Sequence, residues 1–371
     1  KVGGNYFMET NVDLIGYGTA QGEVAVKFQT NQLNPSRMRP FLSIDEEGKV
    51  GSFISVFKGG DPKKPENFGT IKVNTEAVLR REEWQALDAA ILGVAEQRLT
   101  GFNDLISRGL VYNLGNAMGT TVLESHTVSD AMEAEMTMDG VSRSKGDRPV
   151  FGTTYLPIPI VHVDYEINTR VLAASRSLGN ALDTTSAERA ARRVAEKFED
   201  MLFTSTTYSF GGGTIYSLVN YPDRELVTLS TYGDWANTAT TGVKIVESVL
   251  AMKQASINNY FYGPWVLYIP TNYETRLDND YDATTPGTTI RERIMKIAGI
   301  QDIKVIDRLA SSNVLLVQTT TDVVRIVRGM GLTNVQWSTE GNFVNKYKVL
   351  SIQVPQIRSD YNGRTGIIHM S

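Results

Sequence analysis

The chain has 371 residues, 41% of them hydrophobic and 21% charged, proportions that let a folded protein bury one or two cores and exclude a disordered or fibrous chain. Its formal charge of -4 excludes an overall basic, nucleic-acid-steering surface, and its lack of cysteine excludes disulfides, thiolate nucleophiles and cysteine-based metal sites. No apolar run approaches the roughly 20 residues that cross a bilayer, so a soluble chain with no membrane partner is expected.

Residues 1–75 mix glycine- and proline-containing stretches, such as Gly16-Tyr17-Gly18, Asn34-Pro35 and Gly59-Gly60-Asp61-Pro62, with short apolar runs such as Val50 to Phe57. This pattern predicts an extended arm with a few strands. From Thr75 the character changes. Glu76, Glu82 and Glu83 lead into Trp84, Leu87, Ile91, Val94 and Ala95 at helical spacing, which predicts a helix of about five turns within 76–120.

Residues 121–168 predict a long β-hairpin. Met132, Ala134, Met136 and Met138 alternate with Glu133, Glu135, Thr137 and Asp139, so one face of that leg is apolar. The reversal carries Arg143, Lys145 and Arg148, and a second leg runs from Phe151 through Tyr165. Pro157 and Pro159 share one parity there, and proline cannot donate to a ladder, so this leg has an open edge.

A long amphipathic helix follows in 169–225. Thr185 and Glu188 predict a capping box at its start. Ala190, Ala191, Val194, Phe198, Met201 and Leu202 trace the apolar face, while Glu188, Arg192, Arg193 and the stretch from Glu196 to Asp200 keep the other side charged. After the Gly211 to Gly213 turn, residues 226–329 read as α/β, with helices near Lys244 to Ala255 and Thr289 to Ala298 and strands Trp265 to Ile269, Ile303 to Ile306 and Val314 to Val317. The chain closes on strands near Val323 to Val327, Val335 to Ser338 and Lys346 to Val354, with Glu340-Gly341-Asn342 as a hairpin turn.

Three segments, in this order, resemble the major capsid proteins of tailed bacteriophages and the related encapsulins. They are Leu156-Pro-Ile-Pro-Ile-Val-His-Val-Asp164 running into Ile167-Asn-Thr-Arg170, then Leu182-Asp183, then the helix from Ala187 to Phe203. The resemblance covers about Thr75 to Ile368 and implies an α+β fold of the Hong Kong 97 type. In that fold 1–75 would be the N-terminal arm, 76–120 the peripheral-domain helix and connection, and 121–168 the extended loop. Residues 169–225 would hold the spine helix of the peripheral domain, 226–329 the axial α/β domain, and 330–371 the closing strands of the peripheral domain.

The function so implied is structural, not enzymatic, and needs no cofactor. Many copies would assemble as hexamers and pentamers into an icosahedral-type virion capsid, built in the host cytoplasm, that confines double-stranded DNA. Scaffold, portal and cement proteins are the further partners the family suggests. An encapsulin, a shell around cargo enzymes, is the alternative. Encapsulins begin near the Thr75 helix and follow it with Gly-Arg-Arg and Gly-Pro, whereas this chain has a long arm before it and Leu99-Thr-Gly-Phe-Asn103 after it, which favours the phage capsid. A soluble α/β enzyme or binding module is the second alternative.

In the capsid reading the hairpin's apolar stripe, Met132, Met136 and Met138, is covered by another subunit, and Arg143, Lys145 and Arg148 dock on a neighbour's carboxylates. The spine helix presents Glu188, Arg192, Arg193 and Glu196. Some shells of this family weld a hairpin lysine to an asparagine with a glutamate nearby, and Lys145, Asn342 or Asn345, and Glu340 are the residues that could do so here.

Catalytic and metal patterns are thin. His126, His162 and His369 lack metal-ligand spacing, and Asp278-Asn279-Asp280-Tyr281-Asp282 opens like a calcium loop but has Ala283 and Thr289 where glycine and glutamate are required. Ser142-Arg143-Ser144-Lys145 matches a Ser-x-x-Lys nucleophile only in spacing, and Gly16, Gly18 and Gly22 miss the dinucleotide fingerprint.

Overall fold

The computed structural model describes residues 39–44, 48–57, 68–73, 79–98, 100–115, 118–129, 136, 138, 150–170, 172–173, 184–282, 287–338 and 344–371. Within the arm, β1 (Phe41–Ile44), β2 (Val50–Phe57) and β3 (Phe68–Val73) form an antiparallel sheet. It is tied to α1 (Arg81–Arg98) by Arg39, which forks onto Asp88 at 2.8 and 3.0 Å and stacks over the Trp84 ring at 4.8 Å. Bidentate guanidinium contacts fix orientation as well as energy, so the sheet has a defined seat on the helix.

Trp84, Leu87 and Ile91 of α1 are buried, as their spacing predicts. A short helix that the sequence reading did not anticipate, α2 (Thr100–Ser107), follows and buries Phe102 and Leu105. Next come β4 (Val111–Asn113), then β5 (Val122–Val128) paired with β6 (Phe151–Pro157), and β7 (Val161–Asn168).

The expected hairpin differs from this in two ways. The ladder is built by Val122–Val128, whereas of the alternating stretch only Met136 and Met138 are described, and both lie outside any strand. The second leg is not one strand either. Past Pro157 the chain leaves β6, and β7 pairs with β15 (Val344–Ile357) in a different sheet. Pro159 sits in the gap between the two strands, where its missing N–H costs no ladder bond. The expected open edge is present, since β5 is the only ladder partner of β6 among the described residues.

The long helix α3 (Thr185–Phe203) has the expected limits but not the expected cap. Thr184 precedes it in a helical conformation, and its hydroxyl donates to Glu188 Oε1 at 2.6 Å instead of accepting from a backbone amide. Thr185 is therefore already inside the helix, one residue beyond the capping position. Its apolar face lies in a first core with α1, α2 and the sheet β4-β14-β15-β7, where β14 is Val324–Ser338. After α3, β8 (Tyr208–Phe210) and β9 (Gly213–Ile215) make a hairpin whose turn residues Gly211 and Gly212 have φ of +59° and +79°. Both central residues in the left-handed region is the demand of a two-residue hairpin turn that glycine meets without strain.

The second core forms around a five-stranded sheet in the order β10-β16-β13-β11-β12. These strands are β10 (Glu225–Val227), β11 (Trp265–Pro270), β12 (Ile300–Ile306), β13 (Val314–Gln318) and β16 (Ile367–Met370). All six residues of β11 are buried, because the sheet is covered on both faces. Trp265, Leu267 and Ile269 face the second core with α4 (Gly242–Asn258), while Val266 and Tyr268 face the first. Buried indoles find hydroxyls on α4: Trp235 donates to Ser248 at 3.1 Å and Trp265 to Ser256 at 2.9 Å. The short helices α5 (Glu274–Leu277) and α6 (Ile290–Met295) connect β11 to β12.

One boundary needs correction. Residues 330–371 do not all close the four-stranded sheet, because β16 inserts between β10 and β13. Its apolar Ile367, Ile368 and Met370 are buried on both sides, which only a two-faced sheet can satisfy.

Candidate assembly surfaces

The solvent side of α3 is a compact charge cluster. Glu196 accepts from Arg192 Nε and Arg193 at 2.9 Å each and forms an ion pair with Arg308 at 3.0 Å, and Arg308 also lies 3.6 Å from Asp200. Partial burial works to raise the Glu196 pKa, but the bonds from Arg192 and Arg193 and the Arg308 charge outweigh it and hold the carboxyl below its usual range. Three arginines thus share two carboxylates, and Lys197 has no ion-pair partner among the described residues. The surface is locally positive on a chain that is negative overall.

Beside this cluster runs a groove of about 470 Å³ between α3, the approach to β7 and the β8–β9 hairpin. Pro159, Ile160, Val163, Met201 and Ile215 make its floor, Arg193, Lys197 and His162 stand on its rim, and no residue lining it is acidic. A second hollow of about 350 Å³ lies between β5–β6 and the end of β15, lined largely by hydroxyls such as Ser125, Thr127 and Thr154.

The β5–β6 ribbon leaves much of its surface exposed. Val128, Phe151 and Tyr155 are exposed by half or more or nearly so, and Met136 and Met138 are fully exposed at 99% and 106%. Among the described residues the ribbon is braced where it meets β9 and β15. There Gly213 packs so closely that a Cβ on it would lie 2.1 Å from the Tyr155 carbonyl oxygen, and Gln356 donates to Ser125 at 3.3 Å.

Two buried acids tie α2 to its neighbours. Asp104 on α2 accepts from Tyr268 Oη at 2.9 Å and Arg108 Nε at 3.1 Å. Arg108 reaches on to Gln301 at 2.7 Å and Asp302 at 3.6 Å, which ties α2 to the five-stranded sheet. Burial, then the Asp104 charge and the bond to it, push the Tyr268 hydroxyl well above its ordinary pKa, so it stays a donor. Glu199 on α3 is only 3% exposed, and its Oε1 accepts from the Gly101 and Phe102 amides at the start of α2, at 3.0 Å each. Its Oε2 is buried without a partner, and burial pushes its pKa up to about 7 against the pull of those two amides. Gly101 is required for this approach, since a Cβ would sit 2.2 Å from Phe203.

Of the residues singled out from the sequence, Glu188, Arg192, Arg193 and Glu196 lie on α3 as expected, with Arg192, Arg193 and Glu196 in one cluster. Met132, Arg143, Lys145, Arg148, Glu340 and Asn342 lie outside the described residues. Asn345 is 1% exposed within β15 and donates to Thr169 at 3.0 Å. His369 is buried, accepts from Arg224 at 3.3 Å, and has its pKa lowered to about 4 by burial and the Arg224 charge. Asp278 pairs with Arg291 at 2.9 Å. Glu199 was missed, although its spacing from Ala195 and Leu202 places it on the apolar face of α3.

A model for a family described as one of unknown function, DUF6260, matches residues 74–370. Among solved structures, the chain is similar to the virus-like particle from Pyrococcus furiosus, with 16% identity, 78% of this chain and 100% of that chain covered, and a TM-score of 0.57. It is similar to the capsid of Myoviridae Phage XM1, with 12% identity, 73% and 91% covered and a TM-score of 0.58. It is also similar to the capsid of the native GTA particle, with 11% identity, 84% and 94% covered and a TM-score of 0.51. No curated protein matches the chain. The likeness is one of fold, and that fold is the expected α+β capsid architecture of the Hong Kong 97 type.

Proposed function

Because the chain belongs to the DUF6260 family of unknown function and folds as capsid subunits do, we propose that it is the repeating subunit of a closed, icosahedral-type shell. The observation that carries this is the β5–β6 ribbon. Two strands alone are marginal in water, and here they lead to methionines at 99% and 106% exposure, a surface a single subunit leaves uncovered. A second copy of the chain covers it, and the contact is heterologous, so repetition closes rings of hexamers and pentamers. The role is structural, with the residues of the α3 cluster serving contacts between subunits and not catalysis.

The phage-capsid form of the reading, with double-stranded DNA inside a virion built in the host cytoplasm, is supported by the likeness to the XM1 capsid and by the arm preceding the family region. At a formal charge of -4 the subunit neutralises little phosphate, so the DNA is held by confinement and by counterions. Scaffold, portal and cement proteins would be its partners in that setting. An encapsulin-type shell is the second reading, favoured by the match to the whole chain of the Pyrococcus furiosus particle. Nucleic acid co-purifying inside the particle separates the two.

Sedimentation and electron microscopy of the purified protein are expected to show closed particles of many copies, and a monomer or dimer under every native condition, scaffold included, would sink the proposal. The hairpin tip gives a second expected result. Reversing Arg143, Lys145 and Arg148 to glutamate should leave a folded subunit by circular dichroism that assembles poorly, because desolvated interfacial charge pairs matter far more than exposed ones. Normal shells from that variant would remove the tip from the interface.

A further inference from the structure

We infer that the hydroxyl-lined hollow between the β5–β6 ribbon, the β8–β9 hairpin and the end of β15 is a binding site for a sugar-phosphate group. This goes beyond the shell reading and does not depend on it. The hollow measures about 350 Å³, within the roughly 300–1,000 Å³ of small-ligand sites. Among the described residues that line it, Arg358 is the one charged side chain and none is acidic.

Arg358 is the anchor. Its backbone is fixed, the amide donating to the Val323 carbonyl at 2.9 Å and the carbonyl accepting from the Thr365 hydroxyl at 3.0 Å. Its guanidinium has no hydrogen bond, ion pair or ring contact among the described residues. A half-buried guanidinium carries five donors and no acceptor, and its planar fork matches two oxygens of a phosphate. Arg325 adds a second positive charge nearby. Burial first, and then the Arg358 charge, lower the Arg325 pKa, and its Nε donates to Gln356 Oε1 at 2.6 Å. Two guanidinium groups that repel each other and hold no carboxylate among the described residues make a place that an anion stabilises.

Hydroxyls supply the remaining contacts. Tyr221 donates to Ser359 Oγ at 3.0 Å, and burial raises the Tyr221 pKa, so it stays the donor. Ser359 thereby keeps its own proton to donate beside Arg358, and both residues line the hollow. Along the ribbon, Ser125, Thr127 and Thr154 add groups that both give and accept, and Gln356 steadies Ser125 by donating to it at 3.3 Å. The donor corner of Arg358 and Ser359 suits a phosphate, whereas the mixed row on the ribbon suits the hydroxyls of a sugar. The space beyond one oxyanion is polar, so the ligand is a phosphate that carries a sugar and not phosphate alone.

Ribose 5-phosphate is the probe, and calorimetry on the purified full chain is the measurement. Binding should weaken with salt and be about tenfold tighter than that of either inorganic phosphate or ribose. Arg358→Gln should weaken it by about tenfold or more, and Ser359→Ala by a smaller factor. Thr127→Val should weaken ribose 5-phosphate and leave inorganic phosphate unchanged. Because the Arg358 guanidinium has no partner among the described residues, Arg358→Gln should melt at the wild-type temperature without ligand and lose the rise that ribose 5-phosphate gives the wild type. An arginine with a structural role would do the reverse. Should Arg358→Gln fail to fold by circular dichroism, Arg358→Lys keeps the charge without the fork and reads the same loss.

A sugar phosphate reaches the hollow either free or as part of a nucleic acid. A duplex oligonucleotide with terminal phosphates separates these sources: displacement of the probe assigns the site to nucleic acid, no displacement assigns it to a free sugar phosphate, and the site stands under both. Absence of binding by the wild-type chain would overturn the inference and leave Arg358 to a carboxylate of another chain. Undiminished binding by the Arg358 variants, or ribose held as tightly as ribose 5-phosphate, would overturn it as well.

Discussion

Replacing Asp104 with alanine is expected to destabilise the unassembled subunit by about 3–5 kcal/mol, the range seen when one member of a buried charge pair is removed. The loss has two parts. Tyr268 is fully buried, and its hydroxyl would be left without the acceptor it holds at 2.9 Å. Arg108 would keep Gln301 and Asp302 but lose the nearer of its two carboxylates.

Asp104→Asn keeps one acceptor oxygen and should lose less, about 1–2 kcal/mol. Tyr268→Phe combined with Asp104→Ala should cost less than the two separate losses added together, because the phenylalanine leaves no orphaned hydroxyl. Denaturant unfolding of the subunit measures all of these. An Asp104→Ala midpoint equal to wild type would mean the seam between the cores is held by packing alone.

The second large effect is a pH dependence centred on Glu199. Its folded pKa is about 7, against 4.5 for an ordinary glutamate, so between those values the folded state binds the proton that the unfolded state has released. Stability then falls as pH rises, because protons taken up on folding oppose folding when they are scarce. The contribution is fully present below pH 4.5, is lost as pH passes through about 7, and amounts to roughly 3 kcal/mol over the whole window.

The charged groups facing it, Asp200 and Asp307, push in the same direction. Glu199→Gln retains an oxygen for the Gly101 and Phe102 amides and cannot ionise. Its unfolding free energy should lose this part of the slope between pH 5 and 8, while wild type keeps it. Parallel profiles for the two proteins would show that Glu199 does not take up the proton.

The elements most legible in the sequence are those whose pattern is local. Helix α3 runs from Thr185 to Phe203 as its apolar spacing and charges require, α1 buries Trp84, Leu87 and Ile91, and β11 is the uninterrupted apolar run of a strand covered on both faces. Periodicity records which residues share a face, so it carries over directly to burial. It is weaker at termini. The Thr185 cap moved by one residue because capping depends on whether the preceding residue is extended, and Thr184 is helical.

Alternation by itself does not fix pairing. Met132 to Met138 alternates cleanly, yet the ladder with β6 belongs to Val122–Val128. A period of two says that one face is apolar and nothing about which strand lies alongside.

The sequence by itself determined the class of the chain: an arm, a hairpin with an open edge, a charged amphipathic rod and an α/β region, in an order that resembles capsid subunits. Only the tertiary structure decided which strands are neighbours and where the buried charges go. The leg from Phe151 to Tyr165 splits between two sheets, and the last strand, Ile367–Met370, inserts between β10 and β13 of the five-stranded sheet, because strand order is set by packing between segments far apart in the chain. In the same way the helical spacing puts Glu199 on the apolar face of α3 but does not name its partner, the start of α2 at Gly101, 98 residues away. A hydrogen bond across that separation leaves no local period, and so no mark in the sequence that pattern alone can read.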